Sequence, residues 1–501
     1  MSFTGQCRIT SAALDGIDAV CVDVEVLVSA GMPSFLIVGL ADTAVQESRE
    51  RIRSAIKAQG YTMPMCRIVV NLAPSSLKKS GTAFDVAISL GILIATRQVD
   101  PRCAHNRLFV GELSLDGRVR PAQSILPCAL TALRLKYALV CGALNDQLGE
   151  LQNLSIGCLE TLRDIEHLET HCVNKLTAPC STAKPATLDF ADIVGNTRAK
   201  RALQIAAAGR HGLLMIGPPG SGKSMLASRL PSILPELSAD EKIQTAVIHS
   251  IRGLSCSSIF AGYRPFRSPH HSITQAGLLG GGTPIVPGEI SLAHNGVLFL
   301  DELAEFKSSV LQSLRTPLEN GEVRIARAGR VIAFPARFSL IAALNPCPCG
   351  YYGDTHYSCK CSQTQIVNYQ NKIGGPLFDR FDMRIEVSRI ASTEIMETAP
   401  TQSSHDLRAA VLRARAFAQK RKPLVRRCIS ACLHQCNLSD NNTQFFTEMA
   451  EKAQLSGRGM VSILSVARTI ADLEEQAQVS KQHILEAFSY RTRTDNMPER
   501  C

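Results

Sequence analysis

The run GLLMIGPPGSGKSML at Gly212–Leu226 constrains this chain more than any other. Its apolar stretch Leu213–Ile216 predicts a strand, and Gly217-x4-Gly222-Lys223-Ser224 predicts a phosphate loop opening into a helix. A strand that is apolar at every position is buried on both faces, which calls for a parallel sheet. Such sheets bind ligands beyond the carboxyl ends of their strands. Across Gly217, Pro218, Pro219, Gly220, Ser221 and Gly222, the glycines let backbone N–H groups curl around phosphate oxygens. The helix that starts with Lys223, Ser224 and Met225 adds the partial positive charge of its N-terminus. Lys223 is expected to reach the β and γ phosphates and Ser224 to hold Mg²⁺, so ATP and Mg²⁺ are the expected ligands.

A second run, GVLFLDELAEF, predicts a buried parallel strand over Val297–Leu300 with Asp301 and Glu302 at its carboxyl end. Asp301 is expected to orient the Mg²⁺ shell and Glu302 to polarise the attacking water. FSLIAALN predicts a third strand whose tip, Asn345, would hold the water or the γ phosphate. In GPLFDRFDMRIEV, Arg380 precedes a further strand. It is either an arginine finger for a neighbouring subunit's ATP or a surface cation paired with Asp379.

At 501 residues the chain is expected to hold more than one domain. Residues 1–172 read as an α/β unit, with strands in VCVDVEVLVS and CRIVVNLAP and a helix in AVQESRERIRSAIKAQG that ends at Gly60. Residues 173–188 read as a linker rich in Ser, Thr, Ala and Pro. A second α/β region spans 189–395, and a helical region spans 396–501, where Ile463, Val466, Ala467, Ile470 and Leu473 mark one helix face. The start MSFTGQCRITSAALDG lacks the features of a signal peptide, and no apolar run is long enough to span a membrane, so a cytoplasmic location is expected. The net charge of +10 permits contact with nucleic acid without requiring it.

GPPGSGKSML, RPFRSPHHSITQAGLLGGG, PGEISLAHNGVLFLDELAEF, RFSLIAALNPCPCGYYGD and SVARTIADL together resemble the magnesium-chelatase-like AAA+ ATPases of the YifB/ComM family, over nearly the whole chain. The resemblance implies a hexameric homo-oligomeric ring with ATP at its subunit interfaces. It makes Arg380 the finger acting in trans, and Arg458 the sensor arginine on its own subunit's ATP, with Arg468 the second choice. It also implies ATP-driven branch migration of DNA junctions in homologous recombination and natural transformation, with recombinase machinery as a partner. GELSLDGRVRP and KKSGTAFDVAISLGI are similar to the protease domain of Lon. There the nucleophile falls on Ala83 and the lysine base on Cys128, with Ser80 in another register, so an inactive protease-like fold is expected. The rivals are a metal-chelatase motor subunit, an ATP-dependent protease and a non-motor scaffold.

Two further features bear on function. GEVRIARAGRVIAFP predicts a hairpin turning at Ala328–Gly329, on which Arg324, Arg327 and Arg330 would either neutralise DNA phosphates or simply keep it soluble. Arg264, Arg267, His270 and His271 in RPFRSPHHS, and the basic run 407–428, are weaker candidates for DNA contact. Among 18 cysteines, Cys347, Cys349, Cys359 and Cys361 form a Cys-x-Cys-x9-Cys-x-Cys array, either a structural Zn²⁺ site or free thiols. Cys428, Cys432 and Cys436 have the spacing of one helix face and are read as packing.

Overall fold

In a computed structural model, the described residues are 5–491 apart from 80, 123, 144–147, 149–150, 152, 169–171, 174–187, 328–329, 355, 391–401 and 422–428. Most of the expected linker, the hairpin turn, Ser80 and Cys428 therefore lie outside the described residues.

The N-terminal unit is built on an eight-stranded mixed sheet: β1 (Gly5–Asp15), β2 (Asp18–Ser29), β3 (Ser34–Val38), β4 (Arg67–Ala73), β5 (Arg107–Val110), β6 (Ala138–Cys141), β7 (Ile156–Cys158) and β8 (Cys172–Val173). Its strand order is β8-β7-β6-β5-β1-β2-β4-β3. β1 and β2 pair antiparallel from Gly5↔Val28 to Asp15↔Asp18, around a two-residue turn that opens on Gly16 at φ +71. Glycine takes that left-handed conformation without a steric cost. Helix α1 (Thr43–Ala58) starts at Asp42, whose side chain accepts from the Val45 N–H, and buries Val45, Ile52, Ala55 and Ile56 on one stripe. Helix α2 (Asp85–Ala95) is buried all round. Its single carboxylate, Asp85, is satisfied by Arg51 at 2.9 Å and the Leu113 N–H.

The central unit is a five-stranded parallel sheet: β9 (Leu213–Ile216), β10 (Phe266–Arg267), β11 (Val297–Leu300), β14 (Ser339–Leu344) and β15 (Met383–Glu386), in the order β10-β11-β14-β9-β15. Between β11 and β14 the chain makes the hairpin β12 (Glu322–Arg327) and β13 (Arg330–Pro335). The continuous apolar strands are explained by burial on two sides. Leu213, Met215, Val297, Phe299, Ile341 and Ala343 enter one core. Leu214, Ile216, Leu298, Leu300, Ala342 and Leu344 enter the other.

Helices α4 (Thr197–Gly209) and α5 (Lys223–Ile233) cover the first of these faces. The C-terminal helices join them: α7 (Ser404–Gln419), α8 (Ile429–Cys436), α9 (Asp440–Lys452), α10 (Gly457–Leu473) and α11 (Lys481–Ser489). Ile463, Val466, Ala467 and Ile470 of α10 are buried there, as are Cys432 and Cys436 of α8. Polar links tie this lid to the sheet. His211 before β9 bonds Thr469 at 2.8 Å and Asp382 at 3.2 Å, and Ser462 donates to Asp382 at 2.8 Å.

The N-terminal unit rests on the central one through a small apolar core. Leu126 of α3 (Ile125–Leu135) meets Ala246, Val247 and Ile251 of α6 (Ala239–Ile251). The hairpin also leans on it: a Cβ placed on Gly16 would lie 3.2 Å from Ile332 Cγ2.

Candidate nucleotide and metal site

The phosphate loop sits at the carboxyl end of β9, as its apolar run requires. Gly217 leaves the strand with its N–H on Leu344 O at 3.1 Å, and a Cβ there would meet Val387 O at 2.1 Å. Gly220 (φ +78) and Gly222 (φ +85) turn the chain into α5. The structure brings Lys223, Ser224, Asp301, Glu302 and Asn345 together, because each stands at or just beyond the carboxyl end of one of three neighbouring strands, β9, β11 and β14.

Lys223 Nζ donates to Gly217 O at 2.7 Å and Pro218 O at 2.8 Å, and lies 3.4 Å from Asn345 Oδ1. Burial lowers the lysine pKa to about 8; Asp301 and Glu302 oppose that fall, and Arg389 adds to it. Ser224 Oγ donates to Asp301 Oδ2 at 2.6 Å. Ser224 and Asp301 are the residues that would hold Mg²⁺, which would supply positive charge next to the phosphates. Glu302 holds a left-handed backbone (φ +51), with its N–H on Asp301 Oδ1 at 3.0 Å. For a non-glycine residue this is a strained conformation, of the kind that clusters at functional sites. Its carboxylate lies 3.7 Å from His271 Nδ1. His271 is thus a site residue that the sequence did not reveal, because only the fold carries RPFRSPHHS to the acid pair.

The two arginines of that run are held by other partners. The Arg264 guanidinium is held by Pro235 O, Asn295 O and Glu241, and Arg267 grips Glu289 with bonds of 2.7 and 2.8 Å. The Arg264 side chain is 6% exposed, and that of Arg267 31%. Four arginines of the basic run 407–428 are likewise engaged: Arg408 pairs with Glu236, Arg413 with Glu475 and Arg421 with Asp472, while Arg415 donates to Ala207 O and Ala208 O.

Arg380 lies at the opposite end of the sheet, before β15 and beside Gly212, where β9 begins. A four-residue strand spans about 13 Å, so this guanidinium is remote from its own phosphate loop. It pairs with Glu319 rather than with Asp379. Arg458, expected on its own subunit's ATP, stands instead with Arg380, 3.1 Å from the same Glu319. The lid's bonds to His211 and Asp382 anchor α10 at that end of the sheet. Arg468 is 1% exposed and serves the lid's interior, donating to Asp472 at 3.1 Å and Ala477 O at 2.8 Å. Its replacement by alanine is expected to cost about 3 kcal/mol, the scale for breaking a buried ion pair. A urea unfolding midpoint unchanged by Arg468→Ala would refute this structural role.

The four cysteines form one cluster after β14, with all four Sγ atoms within 4.8 Å of one another. Cys347–Cys349, Cys347–Cys359 and Cys349–Cys359 are separated by 3.4, 3.6 and 3.6 Å. Four thiolates around Zn²⁺ at about 2.3 Å stand about 3.8 Å apart, so the cluster fits a tetrahedral ion with small adjustments. The hairpin arginines are less free than their spacing suggested: Arg324 donates to Glu322 at 2.6 Å, and Arg327 to Gly282 O. The side chain of Arg330 is outside the described residues.

A triphosphate and its magnesium ion would engage the loop N–H groups, the lysine, the Ser–Asp pair and the glutamate together, and this is the arrangement of an AAA+ P-loop ATPase. Residues 189–395 match the profile of magnesium chelatase subunit ChlI. Residues 24–143 match that of subunit ChlI of Mg-chelatase, and 401–491 that of the ChlI C-terminal region. The chain is 41% identical to competence protein ComM of Haemophilus influenzae, covering 96% of this chain and 97% of the relative. It is 38% identical to YifB of Salmonella typhimurium, over 96% of each. The magnesium-chelatase 38 kDa subunit of Rhodobacter capsulatus is 24% identical over 66% of this chain and 95% of its own length. The chain belongs to the ComM/YifB family of magnesium-chelatase-like AAA+ ATPases.

Proposed function

We propose that the chain hydrolyses ATP as a hexameric ring and uses the energy to migrate branched DNA during recombination in natural transformation. The observation that carries the ring is the place of Arg380. It lies at the end of the sheet away from its own P-loop, so the nucleotide it can serve is a neighbour's. Arg458 stands with it, and Glu319 pairs with both guanidiniums. A cavity of about 390 Å³ lies at the same end, lined by Arg210, Arg337 and Arg415 and by Glu319 itself.

The near-full-length match to a competence protein supports DNA as the substrate. The hairpin arginines Arg324, Arg327 and Arg330 are the proposed phosphate contacts, and the four-cysteine cluster is read as a Zn²⁺ site. The N-terminal unit is read as a protease-like fold without a dyad. Ala83 and Cys128 share one apolar cluster, and their methyl and thiol groups supply neither the hydroxyl nor the amine such a dyad needs.

The test is a labelled three-strand junction with a long homologous arm, incubated with the protein, ATP and Mg²⁺. Wild type is expected to displace the strand and Lys223→Ala to leave it in place. ATP hydrolysis without displacement on any junction would overturn the DNA motor and favour a motor subunit of a chelatase-type complex.

A further inference from the structure

We propose that the metal held by Cys347, Cys349, Cys359 and Cys361 sets the affinity of the ATP site, because the cysteine loop is the outer wall of the phosphate loop. This rests on reading the P-loop as the ATP site. The sequence placed the array only after a strand tip; the fold puts it against Pro219.

Two routes join the metal cluster to the nucleotide groups. The first is covalent and short. Asn345, whose Oδ1 lies 3.4 Å from Lys223 Nζ, is two residues from Cys347, and Gln370 Nε2 pins the intervening Pro346 O at 2.9 Å. The second runs across the surface of the loop. Gly350 turns at φ +85 so close to Pro219 that a Cβ would lie 2.6 Å from its Cδ. Arg389 locks the same contact from the other side. Its Nη2 donates to Pro219 O at 2.8 Å, and its Nε faces Asp354 Oδ2 at 3.5 Å. Its guanidinium also covers the rings of Tyr357 at 4.8 Å and Tyr351 at 5.5 Å. Arg389 is thus a positioning residue: it ties the cysteine loop to the backbone that would wrap the phosphates.

Few of the described residues of the cysteine loop are buried: Pro346, Cys347 and Gly350. Cys347 is its buried cysteine, and the other three cysteines are half-buried. Four metal–sulfur bonds would hold its two ends and its Gly350 turn in one geometry. Without them, ordering the loop against Pro219 becomes part of the work of binding nucleotide, and affinity falls accordingly. Metal removal is therefore expected to weaken ATP binding with the rest of the fold intact.

The experiment uses the full chain purified without chelators. Zinc is counted by mass spectrometry, and a fluorescent ATP analogue is titrated before and after treatment with a zinc-selective chelator that spares Mg²⁺. The expected result is one zinc per chain and an affinity about tenfold weaker after removal, restored by stoichiometric Zn²⁺. Arg389→Met is expected to keep its zinc, bind the analogue more weakly and lose the response to chelation. A zinc-free protein with four titratable thiols in this loop overturns the metal. Zinc present with affinity unchanged on its removal overturns the coupling alone. Failure of the zinc-loaded chain to bind the analogue overturns the ATP reading and this inference with it. Loss of helical circular dichroism on chelation would show a metal that holds the whole fold, and would overturn the local wall.

Discussion

Lys223→Ala is expected to lower ATP turnover at least about 100-fold, the scale seen when one preorganised donor to a developing charge is removed. The reason lies in where the ammonium is kept. The fold holds it against Gly217 O and Pro218 O, with Asn345 and Ser221 next to it, inside the loop that would receive the phosphates. No other cation occupies that position among the described residues; Arg389 reaches the loop only at Pro219 O, on its outside. The same burial predicts a pH dependence. With its pKa lowered to about 8, the lysine is charged at pH 7 and becomes neutral as pH rises past that value. Phosphate anions favour the ammonium, so above about pH 8 binding must take up a proton, and affinity is expected to fall by up to about tenfold per pH unit. The measurement is the affinity of wild type and Lys223→Ala for an ATP analogue between pH 7 and 9.5. A wild-type curve as flat as the variant's would remove Lys223 from the phosphate contacts.

Arg380→Ala is expected to lower turnover by about 10³-fold or more, the range for an arginine finger, while leaving nucleotide binding nearly unchanged. Its position makes a stronger statement than its loss. If the finger works between subunits, Arg380→Ala chains still offer an intact site with Lys223 and Glu302. Chains carrying Glu302→Gln offer an intact finger. Each variant alone is expected to be inactive, and a mixture is expected to regain activity at the interfaces where one supplies what the other lacks. A mixture as dead as its components, in rings shown to exchange subunits, would place the finger in its own subunit. That outcome would contradict the separation along β9 and β15.

The candidate phosphate site was legible because its parts are local. A phosphate loop needs glycines at fixed spacing after an apolar strand, and an acid pair needs only the end of another, so each is written within a dozen residues. The parallel sheet followed from strands apolar at every position, and the pairing Leu298↔Leu340 and Leu214↔Ala342 confirms it. Other roles were not local. The partner of Arg380, Glu319, is 61 residues away in the chain, and nothing in the Asp-Arg-Phe step distinguishes a finger from a surface cation. His271 reaches Glu302, and Arg389 reaches Pro219, only through the folded sheet.

The two lid arginines show the same limit from the other side. Arg458 and Arg468 lie on one helix and look alike in sequence, yet one shares Glu319 with Arg380 and the other is sealed inside the lid. Helix α10 carries buried residues over most of its length, so sequence periodicity could not tell which positions meet solvent. By itself, then, the sequence determined which residues stand at the ends of the strands, where a few adjacent residues suffice. Which distant side chains share that chemistry was decided by tertiary structure, because burial and charge pairing depend on segments that meet only when two layers pack.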